Sequence, residues 1–203
     1  MEKTLLSNLR ITIPNVVATG SLKHGLDINA ILKAFPDAQY RPDVFPGLVF
    51  RLKKPKTATL IFHSGKMVCT GAKSEKESKR AIRKVISELK REGIIIIGKP
   101  EIKIRNIVAT VDLGNISIDL ENFVYTAPGQ VMYEPEQFPG AIYRMKKPKC
   151  VFLIFSTGKL VCVGIKKEAD IYKAVENILQ ILEETEVLTR KEGWKRIGEE
   201  FKR

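Results

Sequence analysis

The chain states one motif twice: FPGLVFRLKKPK at residues 45–56 returns as FPGAIYRMKKPK at 138–149. Aligned without gaps, residues 40–71 and 133–164 are identical at 18 of 32 positions, where unrelated stretches would share roughly two at ordinary residue frequencies. NVVAT at 15–19 is answered by NIVAT at 106–110, so the duplication reaches across nearly the whole chain. Two copies of one unit are expected to pack about a pseudo-twofold axis and to present each functional residue twice. The boundaries read as a first repeat over 1–98, a second over 99–184, and a basic amphipathic extension over 185–203.

Each copy reads as strand, helix, several strands, helix, which is an α+β pattern. Asp27 is placed to cap a short helix with Ile28, Ile31, Leu32 and Phe35 on one face, and Asp119 opens its counterpart with Leu120, Phe123 and Val124. Ser74 and Glu77 have the spacing of a capping box ahead of the stripe Ala81, Ile82, Val85, Ile86 and Leu89, with Gly93 set to end the helix. The equivalent helix runs from about Glu168 to Leu182. Between the helices, TATLIFHSGKMVCTG and CVFLIFSTGKLVCVG predict hairpins with a glycine in each turn.

Alternation along those strands raises the functional question. Ile61, Met67 and Cys69 fall on one face and Leu60, Phe62, Val68 and Thr70 on the other, and both faces are largely apolar. Two helices per repeat are expected to gather on one side of an antiparallel sheet, leaving the second face to be covered by a partner. Charge names the class of partner. Lys and Arg outnumber Asp and Glu by 35 to 23, a net charge of +12, which favours polyanions, nucleic acid before anionic membrane.

Other classes find little support. The opening MEKTLLSNLR lacks a signal-peptide core and no apolar run approaches bilayer length, so an intracellular protein without a membrane span is expected. Cys69, Cys150 and Cys162 show no metal-binding spacing, and with His24 and His63 as the two histidines no metal site or other cofactor is expected. Cys69 and Cys162 fall on the helix-facing side, where packing is their role.

The two segments YRPDVFPGLVFRLKKPKTATLIFHSGKMVCTGAKS and MYEPEQFPGAIYRMKKPKCVFLIFSTGKLVCVGIK, each preceded by an N-[VI]-V-A-T strand, resemble the two direct repeats of the TATA-box-binding protein family, in its archaeal form. The resemblance covers about residues 8–184. It implies a saddle: a curved antiparallel sheet whose concave face lies in the DNA minor groove, with helices on the convex face. This family is itself a standing example of proteins that kink DNA from that groove. By resemblance, Phe45 with Phe62 and Phe138 with Phe155 match the intercalating pairs. Asn15 and Asn106 match the central hydrogen-bonding pair. Val17, Leu60 and Val68, with Val108, Leu153 and Val161, match the apolar surface laid on sugars and base edges. Arg51, Lys66, Arg144 and Lys159 match backbone-contacting positions. Thr70 matches a hydroxyl expected to donate to a base, and Val163 stands at its counterpart. Glu134 and Glu136 match acidic residues of the stirrup that receives transcription factor B, and through it RNA polymerase. The implied partner is double-stranded DNA carrying a TATA-like element, with the protein acting on chromosomal DNA. The apolar face also leaves homodimerisation of the DNA-free protein open.

The residues carry plainer readings too. Taken alone, Phe62 and Phe155 are core aromatics, Asn15 and Asn106 strand ends, and Lys53, Lys54, Lys56, Lys146, Lys147 and Lys149 solvated turn charges. Two departures from the family pattern stand out: Val163 where a hydroxyl is usual, and a basic rather than acidic C-terminus. Pro14 ahead of Asn15 predicts an edge or bulged position. The competing functions are an architectural minor-groove binder with weak sequence preference and a DNA-processing enzyme. The enzyme would need a carboxylate cluster on the open face, where the pattern places Phe, Val, Leu, Asn and Thr instead.

Overall fold

The computed structural model describes residues 9–190. In chain order the first copy is β1 (Arg10–Ser21), α1 (Ile28–Ala34), β2 (Gln39–Arg41), β3 (Phe45–Leu52), β4 (Thr57–Ile61), β5 (Lys66–Ala72) and α2 (Glu75–Arg91). The second is β6 (Glu101–Asp112), β7 (Ile116–Ile118), α3 (Leu120–Thr126), β8 (Val131–Met132), β9 (Gly140–Met145), β10 (Cys150–Phe155), β11 (Lys159–Ile165), α4 (Glu168–Glu184) and β12 (Leu188–Arg190).

Caps set the helix starts. Asp27 accepts from the backbone N–H of Asn29 and Ala30, and Asp119 from that of Asn122, which satisfies donors that a first helical turn leaves open. Ser74 Oγ accepts from Glu77 N–H at 3.0 Å as the capping box requires, but the return bond lands one residue early: Glu77 Oε2 accepts from Lys73 N–H. Gly93, at φ +81°, follows the end of α2. Gly65 and Gly158 in the hairpin turns are both at φ +80°, and a Cβ there would meet the His24 or Ile116 carbonyl oxygen at 2.1 Å. No other residue fits those turns without displacing backbone.

By compactness the chain divides into two units that do not coincide with the sequence repeats. One holds Ile13–Val108 with Gly164–Ala169, and the other holds Ala109–Val163 and the residues from Asp170 onward, so β6 passes from one to the other. In the first unit the strands lie in the order β2-β3-β4-β5-β1-β6. The β1–β5 register shifts between Val16 and Ala18, where two steps along β1 face three along β5, from Cys69 to Ala72. Helix α2 packs on β3, β4 and β5, and Ala81, Ile82, Val85 and Leu89 are fully buried with Ile61, Met67 and Cys69. At about 25 cal/mol per Å² of apolar area, this interdigitated layer is the main favourable term holding the unit together.

In the second unit the order is β11-β10-β9-β8, and β12 pairs with β7. Phe152, Ile154, Leu160 and Cys162 are fully buried, as are Ala174, Ile178 and Leu182 of α4. The basic extension expected over 185–203 is therefore in part a structural element. Val187 is buried, its carbonyl accepts from Asp119 N–H at 3.0 Å, and Leu188–Arg190 form a strand. Its remainder, 191–203, lies outside the described residues. Among the described residues no helix is long and apolar enough to cross a membrane.

Candidate nucleic-acid interface

In an antiparallel sheet, directly paired residues share a face, so the registers show which side chains stand together. Val49, Leu60, Val68 and Thr19 form one row across β3, β4, β5 and β1, and Arg51, Ala58 and Thr70 form the next. In the second unit the same rows are Ile142, Leu153 and Val161, then Arg144, Val151 and Val163. Arg51 and Arg144 are exposed and every other member is half-buried. The alternate residues are buried toward the helices. Alternation along the sequence thus names both faces correctly, and in each unit the face away from the buried layer carries an apolar surface open to a partner.

Each surface ends in an aromatic pair. Phe45 and Phe62 meet edge to face with ring centroids 5.9 Å apart, and Phe138 and Phe155 do so at 5.8 Å, a favourable aromatic geometry. These rings are not core aromatics. Phe45 is 41% exposed and the other three are half-buried. The glycine of each FPG makes the pair fit: a Cβ on Gly47 would lie 2.5 Å from the Phe45 ring, and one on Gly140 2.8 Å from the Phe138 ring. The sequence reading did not single out these two glycines as the floor of the ring pairs, although their place in both copies of FPG was a visible signal.

The central asparagines occupy matching positions. Gly71 N–H donates to Asn15 Oδ1 at 2.8 Å, and Gly164 N–H donates to Asn106 Oδ1 at 2.8 Å. With each carbonyl oxygen held by backbone, the Nδ2 amino group is the end left to donate outward. The Thr70 hydroxyl donates to Asn15 Oδ1 at 3.1 Å, and its counterpart Val163 has no hydroxyl.

Cations rim these surfaces. Arg51, Lys66, Arg144 and Lys159 are exposed, and among the described residues none is in an ion pair. The lysines of both KKPK turns are exposed as well. The turns are held from the helix side, where Lys84 Nζ donates to the Lys54 carbonyl and Asn177 Nδ2 to the Lys147 carbonyl. Beside Phe62, a groove lined by Lys66, Lys103, Arg105 and Val68 adds two cations not predicted. Arg105 Nε donates to Thr19 Oγ1 at 2.9 Å, while Lys103 pairs with Glu101 and holds that carboxyl below its usual range. A second groove beside Phe155 includes Arg10 and Lys159. The polar alternation in RITIPN and EIKIRN was the available signal for these residues. Glu134 and Glu136 are exposed. Burial pushes the Cys69 thiol up, and at Cys162 the neighbouring Cys150 does so first and burial second. Both thiols are packing groups rather than nucleophiles.

A family model described as "Transcription factor TFIID (or TATA-binding protein, TBP)" matches this chain twice, over residues 10–92 and 101–185. The chain belongs to the TATA-box-binding protein family. Among curated relatives, the TATA-box-binding protein of Sulfurisphaera tokodaii is 48% identical over 174 residues, 86% of this chain and 87% of its own. That of Pyrodictium occultum is 49% identical over 170 residues, 84% of each. A solved structure of Methanococcus jannaschii TBP matches with a TM-score of 0.77 at 48% identity, covering 86% of this chain and 99% of the other. TATA-box-binding proteins are DNA-binding transcription factors and not enzymes, which removes the DNA-processing reading.

Proposed function

We propose that this chain is a promoter-recognition factor that binds A·T-rich, TATA-box DNA through the minor groove, bends it, and recruits transcription factor B and through it RNA polymerase. The observation that carries the reading is the open apolar sheet face found in each unit, ended by a phenylalanine pair and rimmed by exposed Arg and Lys that have no ion-pair partner among the described residues. Apolar side chains suit A·T pairs, because the exocyclic amino group of guanine would lose water against them and find no acceptor. The outward Nδ2 groups of Asn15 and Asn106 are donors, and A·T pairs present only acceptors in that groove. Phe45, Phe62, Phe138 and Phe155 are the wedges that unstack base steps and so bend the duplex. Arg51, Lys66, Arg144 and Lys159 bind phosphates and set position without reading sequence.

Glu134 and Glu136 form the surface offered to transcription factor B, and the protein acts inside the cell on chromosomal DNA. Without DNA, two copies can bury their apolar faces against one another. Titration with a TATA-like duplex and a G·C-substituted one, with and without transcription factor B, tests the reading. Preference for the first duplex, with transcription factor B tightening the complex, is expected. Equal affinity for both would overturn it.

A further inference from the structure

We infer that Thr70 sets how strictly the first repeat reads its half of the DNA site by fixing the side-chain amide of Asn15, and that the second repeat, with Val163 in that place, reads its half more permissively. This rests on the DNA-binding function proposed above. Thr70 is a positioning residue here, acting through Asn15.

A side-chain amide oxygen has two lone pairs. Both are occupied at Asn15, by Gly71 N–H at 2.8 Å and by the Thr70 hydroxyl at 3.1 Å. Turning this amide over would lose both bonds and set Nδ2 against the Gly71 N–H. At Asn106 the oxygen accepts from Gly164 N–H at 2.8 Å, and Val163, aligned with Thr70, has no hydroxyl to give. Inverting Asn106 therefore costs one bond fewer.

The difference bears directly on base discrimination. An A·T pair offers only acceptors in the minor groove, and both asparagines meet it with Nδ2. A G·C pair adds the guanine N2 amino donor. Asn15, locked with its amino group outward, opposes donor to donor. Inverting Asn106 to present Oδ1 to guanine N2 also sets its Nδ2 against a backbone N–H, that of Gly164, but it gives up one bond where Asn15 gives up two. Direct donation from Thr70 to a base is the weaker account, because the hydroxyl would first have to abandon Asn15.

The test uses a self-complementary A·T duplex on which the protein can bind either way round, with A·T replaced by G·C beside the dyad in neither, one or both halves, at fixed salt. On the singly replaced duplex the wild-type protein is expected to turn so that the replacement lies under the second repeat, losing little affinity. The second replacement should then cost roughly three- to tenfold more than the first, the net worth of one hydrogen bond. Thr70→Val should make the two steps equal and small. Val163→Thr should make the first step as large as the second. Thr70→Ser should behave as wild type. A merely structural role for Thr70 would change overall affinity and thermal midpoint in Thr70→Val but leave the ratio of the two steps alone, and that result overturns the inference. Equal steps in the wild type also overturn it while leaving the proposed function standing. Indifference to A·T content overturns both.

Discussion

The two phenylalanine pairs are near-copies, whereas the segments that lead into them are not. Ring separations agree to 0.1 Å between the pairs, and each pair packs over a glycine whose added Cβ would press into a ring. Just upstream, β2 runs on to Arg41, which pairs with Phe45. Its counterpart β8 ends at Met132, so Glu134 stands outside any strand. There the Glu134 carbonyl accepts from both Gln137 and Phe138 N–H at 2.9 Å, while the Arg41 carbonyl accepts from Val44 N–H at 3.0 Å. Charge differs too: Arg41 and Asp43 cancel, where Glu134 and Glu136 add. On the function proposed above, a feature needed at both ends of a DNA site would be held constant, and one that serves a single protein partner would be free to diverge in one copy.

That contrast is most exposed to test at the rings. Replacing Phe45 and Phe62 together by Ala should weaken TATA binding by about 3 kcal/mol, roughly the cost scale of unstacking a step, and reduce the bend seen by fluorescence energy transfer. The Phe138 and Phe155 double variant should match it. An unchanged bend would remove the wedge assignment, and unequal losses would show that the pairs are copies in geometry only.

Next in size is the divergent segment. Glu134→Arg with Glu136→Arg should leave binary DNA binding intact or slightly tighter and weaken the ternary complex with transcription factor B by about 2 kcal/mol or more, through opposed charges. Arg41→Glu, at the matching place in the first repeat, should leave the ternary complex as it is. A gel shift in which both variants lose recruitment equally would break the claim that one copy serves the partner.

The phosphate contacts are smaller individually. Arg51→Gln with Lys66→Gln should lower the slope of log affinity against log salt by about two, and the Arg144 and Lys159 pair should do the same. A slope unchanged by either pair would place these cations away from phosphate.

The smallest effect is expected at the glycines. Gly47→Ala forces its Cβ against the tip of the Phe45 ring, which can swing outward, so folding stability should change by less than about 1 kcal/mol. The bend angle should nonetheless fall. Gly140→Ala meets the Phe138 ring at 2.8 Å but also the Ile154 carbonyl oxygen at 3.2 Å, so it should lower the bend as well and cost somewhat more stability than Gly47→Ala. If either variant unfolds instead, the ring is not free to move.

Much of this was legible in the sequence because it is periodic or local. Strand alternation separated Ile61, Met67 and Cys69 from Leu60, Val68 and Thr70 because the side-chain period is two and a buried face tolerates no slip. Asp27, Asp119 and Ser74 announced helix starts because a cap acts over two or three residues. The cations Lys103 and Arg105 were not found, since exposure on a strand says nothing of which groove lies alongside.

What the sequence by itself determined is the duplication, the two-faced strands and the residue types on the open face, all consequences of spacing within a few residues. What only the tertiary structure decided is which groups meet across strands. Thr70 reaches Asn15, 55 positions earlier in the chain, in a pairing whose register shifts between Val16 and Ala18. An extra residue in one strand re-aims the side chains around it, so alternation could place Thr70 on the right face yet could not show that its hydroxyl is directed at Asn15. The ring contacts over Gly47 and Gly140 are of the same kind, for the space a side chain would need is set by a ring arriving from another strand.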